Sequence, residues 1–207
     1  MRILLIGASG MIGSRVAAEA RDRGHEVTGV ARGGAAGTEK ADASDTAAIA
    51  ALAAGQDAVV FSISSGRDGS AAEGPLLAAG RAVFAAARQA GVRRLVVVGG
   101  AGSLEVAPGV RLIDTPEFPE IYKNEALAHC TLLEVIRAEA GDLDWTYISP
   151  AAEIQPGERT GTYQRGVGRL LTDAEGRSEI SAEDFALGLV DELEKGAATD
   201  RHITFAH

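Results

Sequence analysis

The chain has 207 residues, of which 46% are hydrophobic and 24% charged, so its composition is globular rather than disordered. The formal net charge of −9 disfavours nucleic acid or an anionic membrane as the main partner. The single cysteine, Cys130, excludes an internal disulfide, and no apolar run approaches the ~18 residues needed to span a bilayer. We therefore expect a single cytoplasmic domain over residues 1–207 with no signal peptide, and no metal site among the four scattered histidines.

The most informative stretch of the sequence is residues 3–13. An apolar run of strand length, residues 3–6, is followed by three regularly spaced glycines, and a helical pattern begins near Met11. Glycines permit a tight turn and the close approach of a pyrophosphate, to which a helix N-terminus offers free N–H groups. This order predicts a dinucleotide-binding turn formed by Gly7, Ser9, Gly10, Met11, Ile12 and Gly13. The alternative is a glycine-rich turn without a ligand.

Strand and helix patterns alternate along the first 150 residues. Strands are predicted at residues 3–6, 26–31, 40–43, 58–63, 95–98 and 145–148, and helices at 11–23, 46–54, 74–90 and 124–140. Several helices stop at a glycine before the next strand: Gly24, Gly55 and Gly91. The middle strands are continuous apolar runs, which is typical of parallel strands covered on both faces. The pattern predicts the α/β class, with a doubly wound parallel sheet.

After Pro150 the sequence becomes rich in turns, at residues 156–163 and again at 173–176. Ser181, followed by acidic residues, resembles a capping box that opens a helix over residues 182–195, and a closing strand is predicted at 201–206. Ligands of doubly wound sheets bind outside the carboxyl ends of the strands. We therefore expect residues 151–207 to add a small substrate-side lobe that covers the reacting acceptor.

Together with the opening turn, three segments resemble an atypical short-chain dehydrogenase/reductase: residues 61–64 (Phe-Ser-Ile-Ser), 98–103 (Val-Gly-Gly-Ala-Gly-Ser) and 145–150 (Trp-Thr-Tyr-Ile-Ser-Pro). With residues 156–161 and 180–185, the chain resembles the bacterial group named after NADH-flavin reductase. That group is similar to biliverdin reductase B and, more distantly, to NmrA-like redox sensors. The resemblance covers nearly the whole chain and implies a Rossmann fold and a nicotinamide cofactor.

The end of the second strand bears on the choice of cofactor. An acidic residue there favours NAD, whereas Arg32 can pair with the 2′-phosphate of NADP. Arg15, in the first helical turn, is a second candidate for this contact. Both arginines are alternatively solvated surface residues. We expect NADP (NADPH) as the cofactor, with NAD as the alternative.

Other cofactor contacts are expected at the ends of later strands. Asp42 follows the third short strand, where related proteins contact the adenine, or it is a turn residue. Residues at the ends of the fourth and sixth strands are expected along the ribose and nicotinamide: Ser62, Ile63, Ser64, Pro150, Ala151 and Ala152.

The tyrosine–lysine pair usual in short-chain dehydrogenases is absent, because Ala126 stands four residues after Tyr122. Lys123 follows Tyr122 directly, and helical neighbours point about 100° apart, so these two residues do not replace the pair. Transfer of hydride to a flavin or quinone does not require a strong protein acid, since solvent can supply the proton. The sequence thus favours a flavin or quinone reductase, or equally a sensor without catalysis, over an alcohol dehydrogenase.

Several residues are candidates for the site of reaction. Ser103 matches a serine of biliverdin reductase B near the reacting ring, and His129 is a possible proton donor with a pKa near neutrality. Glu153 and Arg159 are candidates for substrate binding, Arg159 for an anionic group such as a flavin phosphate. Each has an ordinary alternative. Ser103 is alternatively a turn serine, His129 a half-exposed helix histidine beside Glu125, and Glu153 and Arg159 surface residues.

The expected activity is therefore transfer of a hydride from NAD(P)H to a flavin or another small planar redox acceptor. A sugar-nucleotide epimerase or dehydratase is the second enzymatic interpretation, and an NmrA-like NADP(H) sensor is the interpretation without catalysis. We expect a monomer or a homodimer.

Overall fold

The computed structural model describes residues 1–64, 73–195 and 200–207. The helices are α1 (Met11–Asp22), α2 (Thr46–Ala53), α3 (Glu73–Gln89), α4 (Glu120–Glu139) and α5 (Ala182–Lys195). The strands are β1 (Arg2–Ile6), β2 (Glu26–Ala31), β3 (Glu39–Lys40), β4 (Ala58–Phe61), β5 (Arg94–Val98), β6 (Glu105–Ala107), β7 (Val110–Arg111), β8 (Asp144–Ser149), β9 (Glu153–Gln155), β10 (Gln164–Val167), β11 (Glu179–Ser181) and β12 (His202–Ala206). No helix in these ranges combines the length and apolarity that crossing a bilayer requires.

An eight-stranded sheet in the order β10-β12-β8-β5-β4-β1-β2-β3 forms the centre of the molecule. All neighbouring pairs are parallel except β10, which runs antiparallel to β12. The strand order reverses direction at β1, which has β2 on one side and β4 on the other. The predicted Rossmann-type doubly wound sheet is therefore confirmed, and its switch point lies at the carboxyl ends of β1 and β4.

The two faces of the sheet are covered by different helices. One buried cluster contains Leu4, Ile6 and Phe61 together with side chains of α2, α3 and α4. The other contains Ile3 and Leu5 together with side chains of α1 and α5. Because successive side chains of β1 enter opposite cores, the strand reads as an uninterrupted apolar run.

The predicted helix boundaries are largely confirmed. Gly24, Gly55 and Gly91 adopt φ values of +80°, +77° and +72°, the left-handed conformation that ends a helix at low cost. The backbone N–H of Asp184 donates to Ser181 Oγ at 3.0 Å, so the predicted cap of α5 is present.

Several elements differ from the prediction. Helix α4 begins four residues early, directly after Pro119, and β4 ends at Phe61 rather than at residue 63. The antiparallel hairpin β6–β7 and the edge strand β10 have largely exposed side chains, so they lack the apolar pattern that predicts a strand. Moreover, β10 and β12 extend the main sheet and α5 packs on α1, so these elements of the expected lobe belong to the core.

Candidate functional site

The three glycines after β1 have different surroundings. Gly7 has φ +88°, and a Cβ there would lie 2.1 Å from the carbonyl oxygen of Ser62. A Cβ on Gly13 would lie 2.1 Å from the carbonyl oxygen of Gly7. A Cβ on Gly10 would meet only that same oxygen, at 3.3 Å. Gly7 and Gly13 are therefore required for close packing of the backbone, whereas Gly10 keeps the open side of the turn free for a ligand.

The N-terminus of α1 offers its N–H groups to that open side. Gly10 is the N-cap residue and supplies no side-chain acceptor, and no acidic residue lies in the first turn. Ser9 and Met11 are exposed, and Ile12 is half-buried against the core below. An anion placed here would meet donors and the positive end of the helix dipole without a competing carboxylate in that turn.

The predicted residues at the ends of β4 and β8 lie at the same carboxyl edge of the sheet. The N–H of Ser62 donates to the carbonyl of Ile6 at 2.8 Å, which places this segment beside Gly7; Ile63 is half-buried and Ser64 exposed. Pro150 and Ala151 are buried, and the N–H of Ala152 donates to Ser178 Oγ at 3.1 Å. Their contacts with a cofactor stay predictions.

Arg32 and Asp42 are both exposed, beyond the ends of β2 and β3. The Asp42 carboxylate accepts from the N–H of Ser44 at 2.9 Å and from its hydroxyl at 2.7 Å. These hydrogen bonds, aided by the charge of Arg32, lower the pKa of Asp42 below its ordinary value. Asp42 therefore has a turn role, and adenine contact stays a prediction for it.

Arg15 is engaged within the protein. Its guanidinium pairs with Glu183 of α5 and donates to the carbonyl of Met11 at 2.8 Å. In this arrangement Arg15 joins the first turns of α1 and α5, and Arg32 is the better candidate for the 2′-phosphate.

Ser103 is buried at the end of a single 3-10 turn, Ala101–Ser103, that follows β5. Its Oγ donates to the carbonyl of Gly100 at 3.0 Å and lies 3.2 Å from Ser149 Oγ. His202 Nε2 lies 3.3 Å from Ser103 Oγ and 3.1 Å from Ser149 Oγ. We call Ser103, Ser149 and His202 the polar triangle.

A pocket of about 270 Å³ adjoins the polar triangle. Its walls come from α4, from the hairpin β6–β7 and from the end of β10 with the two residues that follow it. The pocket is lined by Ser103, Glu105, Arg111, Cys130, Leu133, Glu134, Arg137, Val167, Gly168, Arg169 and His202. Charges of both signs are therefore present around a floor of hydroxyl and imidazole groups.

His129 does not fit the predicted role of proton donor. It is 5% exposed, so the alternative prediction of a half-exposed helix histidine is also wrong. Its Nδ1 is buried without a hydrogen-bond partner. Burial lowers the pKa of His129 to about 4, because a charged imidazole is poorly solvated there. The side chain is neutral near pH 7, and it is not among the residues that line the pocket beside the polar triangle, so its position does not support the role of proton donor.

Tyr147 positions the bend that carries Ser103. Its hydroxyl donates to the carbonyl of His129 at 2.8 Å and accepts from the N–H of Gly100 at 3.4 Å. A Cβ on Gly99 would lie 2.0 Å from the ring, so only glycine permits this contact. Burial raises the pKa of Tyr147 far above its ordinary value, which makes it a structural phenol rather than an acid.

Arg159 is not brought to the polar triangle. Its guanidinium forms a two-pronged pair with Glu19 of α1, at 2.8 and 2.9 Å. Glu153 is exposed on β9, which pairs with β11. The prediction that Arg159 receives an anionic substrate is therefore not supported by its position, and for Glu153 substrate contact stays a prediction.

Comparison with known proteins agrees with this geometry. A family model described as NAD(P)H-binding matches residues 7–195, a span that begins at the first glycine of the turn. The chain belongs to the NAD(P)H-binding family.

Solved structures resemble this NAD(P)H-binding protein over its full length. A Burkholderia pseudomallei protein, provisionally named an exported protein, is 49% identical with a TM-score of 0.91, and all of both chains is covered. A provisionally named epimerase from Bacteroides thetaiotaomicron is 34% identical with a TM-score of 0.90, covering all of this chain and 96% of that one. A provisionally named NADH-flavin reductase from Streptococcus pneumoniae is 33% identical with a TM-score of 0.84, covering all of this chain and 99% of that one. The predicted family resemblance is confirmed, while the three names differ.

Three residues of the NAD(P)H-binding protein's site escaped the sequence analysis: Tyr147, Ser149 and His202. The two residues of β8 belong to a segment that matches the family pattern, but nothing in their spacing indicates that Ser149 contacts Ser103 or that Tyr147 bonds to the carbonyl of His129. His202 opens β12, far from any motif, and it reaches the site only because β12 lies beside β8 in the sheet.

Proposed function

We propose that the protein is an NAD(P)H-dependent reductase that passes a hydride to a flavin or quinone-like acceptor. When bound, the dinucleotide supplies that hydride from C4 of its nicotinamide. The turn from Gly7 to Gly13 would hold the pyrophosphate, and the ends of β4 and β8 would flank the ribose and the nicotinamide. In this arrangement the acceptor would bind near the end of β5, beside Ser103.

The choice of acceptor rests on whether a tyrosine of this protein is placed to act as an acid. Reduction of an isolated carbonyl needs a positioned acid for the developing alkoxide. Tyr147 is sealed in the core, and Tyr163 donates to Asp191 at 2.6 Å; burial raises the pKa of both. Tyr122 lies in the exposed first turn of α4, and its neighbour Lys123 pairs with Glu120. A flavin or quinone fits such a site better, because its reduced form is stable without a strong acid.

The cofactor preference follows from Arg32. An exposed guanidinium at the end of β2 would pair with a 2′-phosphate, whereas NAD would gain nothing from it. We therefore propose NADPH as the preferred donor. A cytoplasmic location is part of the proposal, since the single thiol, Cys130, is buried and unpaired and fits a reducing compartment; fractionation of cells would test it.

The test is oxidation of NADPH by the purified protein with an excess of FMN, FAD or a simple quinone, followed by absorbance of the reduced nicotinamide. We expect consumption well above the uncatalysed background, because the site removes the entropic cost of bringing two planar rings together. The Gly10→Val variant is the control, since it alters the cofactor turn alone.

Two other results would replace this proposal. Tight NADPH binding with no turnover on any acceptor would make a redox sensor the leading function. Binding of NAD without net consumption, accompanied by conversion of a sugar nucleotide, would favour an epimerase.

A further inference from the structure

The polar triangle joins three parts of the chain that are far apart in sequence. Ser103 follows β5, Ser149 ends β8 and His202 begins β12, and each pair of polar atoms lies within 3.1–3.3 Å. Ser149 is completely buried and Ser103 nearly so. Thr204, the register partner of Ser149 on β12, is equally buried, yet its hydroxyl has no hydrogen-bond partner. Burial alone therefore does not assemble such a cluster on this face of the sheet.

The hydrogen atoms of the triangle can be assigned in one consistent direction. Because the hydroxyl of Ser103 already donates to the carbonyl of Gly100, its oxygen is left to accept. Ser149 can then donate to Ser103, and the Nε2–H of His202 can donate to Ser149. If Ser103 gave up its proton, the hydroxyl of Ser149 would be in place to restore it, and the imidazole in place to restore Ser149.

His202 connects this chain of hydroxyls with the pocket. Its imidazole is half-buried and lines the same pocket as Ser103, and it meets the Tyr147 ring edge-on at 5.5 Å. A pocket of about 270 Å³ has room for several waters that can hydrogen-bond to its polar lining. The titratable and charged groups facing His202 across it are Glu105, Arg111, Cys130, Glu134, Arg137 and Arg169.

On the basis of the proposed reductase function, we propose that His202 and Ser149 relay a proton from the pocket to Ser103, which passes it to the acceptor. With the dinucleotide bound, a hydride would carry two electrons from its nicotinamide C4–H bond to the acceptor. The Ser103 hydroxyl would turn away from the Gly100 carbonyl and give its proton to a heteroatom of the reduced acceptor. Ser149 reprotonates Ser103, and Nε2 of His202 reprotonates Ser149. Water in the pocket returns one proton to the imidazole. The overall reaction therefore consumes one reduced nicotinamide, one acceptor molecule and one proton from solvent.

The surroundings keep the imidazole in the form that this relay needs. Burial, together with the charge of Arg137, lowers the pKa of His202 to about 4, so the ring is neutral near pH 7. A neutral imidazole carries a proton on one nitrogen and a lone pair on the other, and can therefore receive and release protons at the same time. His202 and Ser149 are positioning residues in this scheme, because they act through Ser103.

The decisive experiment measures NADPH oxidation by the full-length protein in the presence of a quinone. His202→Ala should lower kcat about 100-fold, the lower end of what a positioned proton donor contributes, without changing the Kd of NADPH. Added imidazole should restore much of the lost rate, because the missing ring opens onto the pocket. Ser149→Ala removes the middle hydroxyl of the relay and should lower kcat less than His202→Ala does, without rescue by imidazole, because His202 Nε2 also lies 3.3 Å from Ser103 Oγ. Thr204→Val is the matched control on the same face of β12 and should keep the wild-type rate.

Each outcome decides between relay and structural support. Loss of rate in His202→Ala with rescue by imidazole, at an unchanged melting temperature, supports the relay. A rate that stays at the wild-type level in His202→Ala and Ser149→Ala overturns it while leaving the reductase function intact. So does a fall in rate that imidazole does not reverse in His202→Ala. Absence of turnover in the wild-type protein with every acceptor overturns both the reductase function and the relay.

Discussion

The turn after β1 and the segment over residues 156–163 are both irregular and both lie against α1, yet different forces hold them. In the turn, the N–H groups of Gly7 and Ala8 donate to the carbonyl of Val30, and that of Gly10 donates to Gly7. In the segment, by contrast, backbone and side-chain donors converge on carboxylates of α1 and α5.

Asp184 is the strongest of those acceptors. It is fully buried. Its carboxylate accepts hydrogen bonds from the N–H of Thr160 at 3.0 Å, from the Thr160 hydroxyl at 2.6 Å, from the N–H of Gly161 at 2.9 Å and from His207 Nε2 at 2.9 Å. Burial alone would raise the pKa of Asp184, but the hydrogen bonds from Thr160 and Gly161 lower it overall. A region held by backbone bonds depends on the shape of a few residues, whereas one held by carboxylates depends on charge and pH.

The largest expected effect is therefore on the segment. Asp184→Ala should lower the free energy of unfolding by about 3 kcal/mol, because it leaves several buried donors without an acceptor. Urea denaturation at pH 7 followed by circular dichroism measures this loss. Glu179→Ala, an exposed carboxylate on β11, is the control and should have little effect. Equal stability of the two variants would contradict the importance of the Asp184 contacts.

The same contacts set the response to acid. Since the pKa of Asp184 is lower in the folded than in the unfolded protein, its contribution is complete above the unfolded value of 3.8. That contribution disappears as the pH falls through the folded pKa. The stability difference between the wild-type protein and Asp184→Ala should thus shrink below about pH 4.

The second largest effect is expected on NADPH binding at the turn after β1. Gly10→Val should weaken NADPH binding at least about 100-fold, or 2.7 kcal/mol, because the side chain occupies the side from which the pyrophosphate approaches. Titration calorimetry measures the affinity. Gly141→Val is the control, since a Cβ there meets nothing within 4 Å.

At the same turn, Gly13→Ala should affect stability, whereas Gly10→Val should affect NADPH affinity. A Cβ on Gly13 would clash with the backbone of Gly7, so that variant should lose thermal stability, whereas Gly10→Val should melt close to the wild type. Unchanged NADPH affinity in Gly10→Val would mean that the turn holds no phosphate.

A smaller effect is expected at the end of β2. Arg32→Asp should change the ratio of the NADPH and NADH dissociation constants about tenfold, or 1.4 kcal/mol, in favour of NADH. Arg93→Asp makes the same change of charge at the opposite end of the sheet and should leave the ratio unchanged. A ratio that does not move in Arg32→Asp would remove the main support for NADPH.

The smallest effect is expected from Arg159→Leu. The arginine is 51% exposed, so its pair with Glu19 should contribute less than about 1 kcal/mol to stability. NADPH affinity and the KM of an acceptor should both be unchanged, since the side chain faces α1. A rise in KM for FMN but not for an uncharged quinone would restore the substrate role that the sequence suggested.

The sequence predicts the first region far better than the second. Glycine spacing, strand length and the start of α1 are local features, so the sequence alone predicts the turn and the doubly wound parallel sheet. The partners of Arg159, Tyr163 and Ser103 lie 140, 28 and 99 residues away, respectively, in Glu19, Asp191 and His202. No local pattern encodes such distances. The burial of His129 has no local sequence signal for the same reason, because it depends on how α4 packs against Tyr147 of β8.

The position of β12 has a consequence for the order of folding. This strand lies between β8 and β10, both of which precede it in the chain, so β10 has no place in the sheet until β12 has paired with β8. That pairing closes a loop of more than fifty residues, which is entropically slow. We therefore expect His202 and the wall formed by residues 167–169 to be added together, after the rest of the sheet has formed. Detachment of this edge would dismantle the pocket while leaving the cofactor turn on its own side of the sheet unaffected.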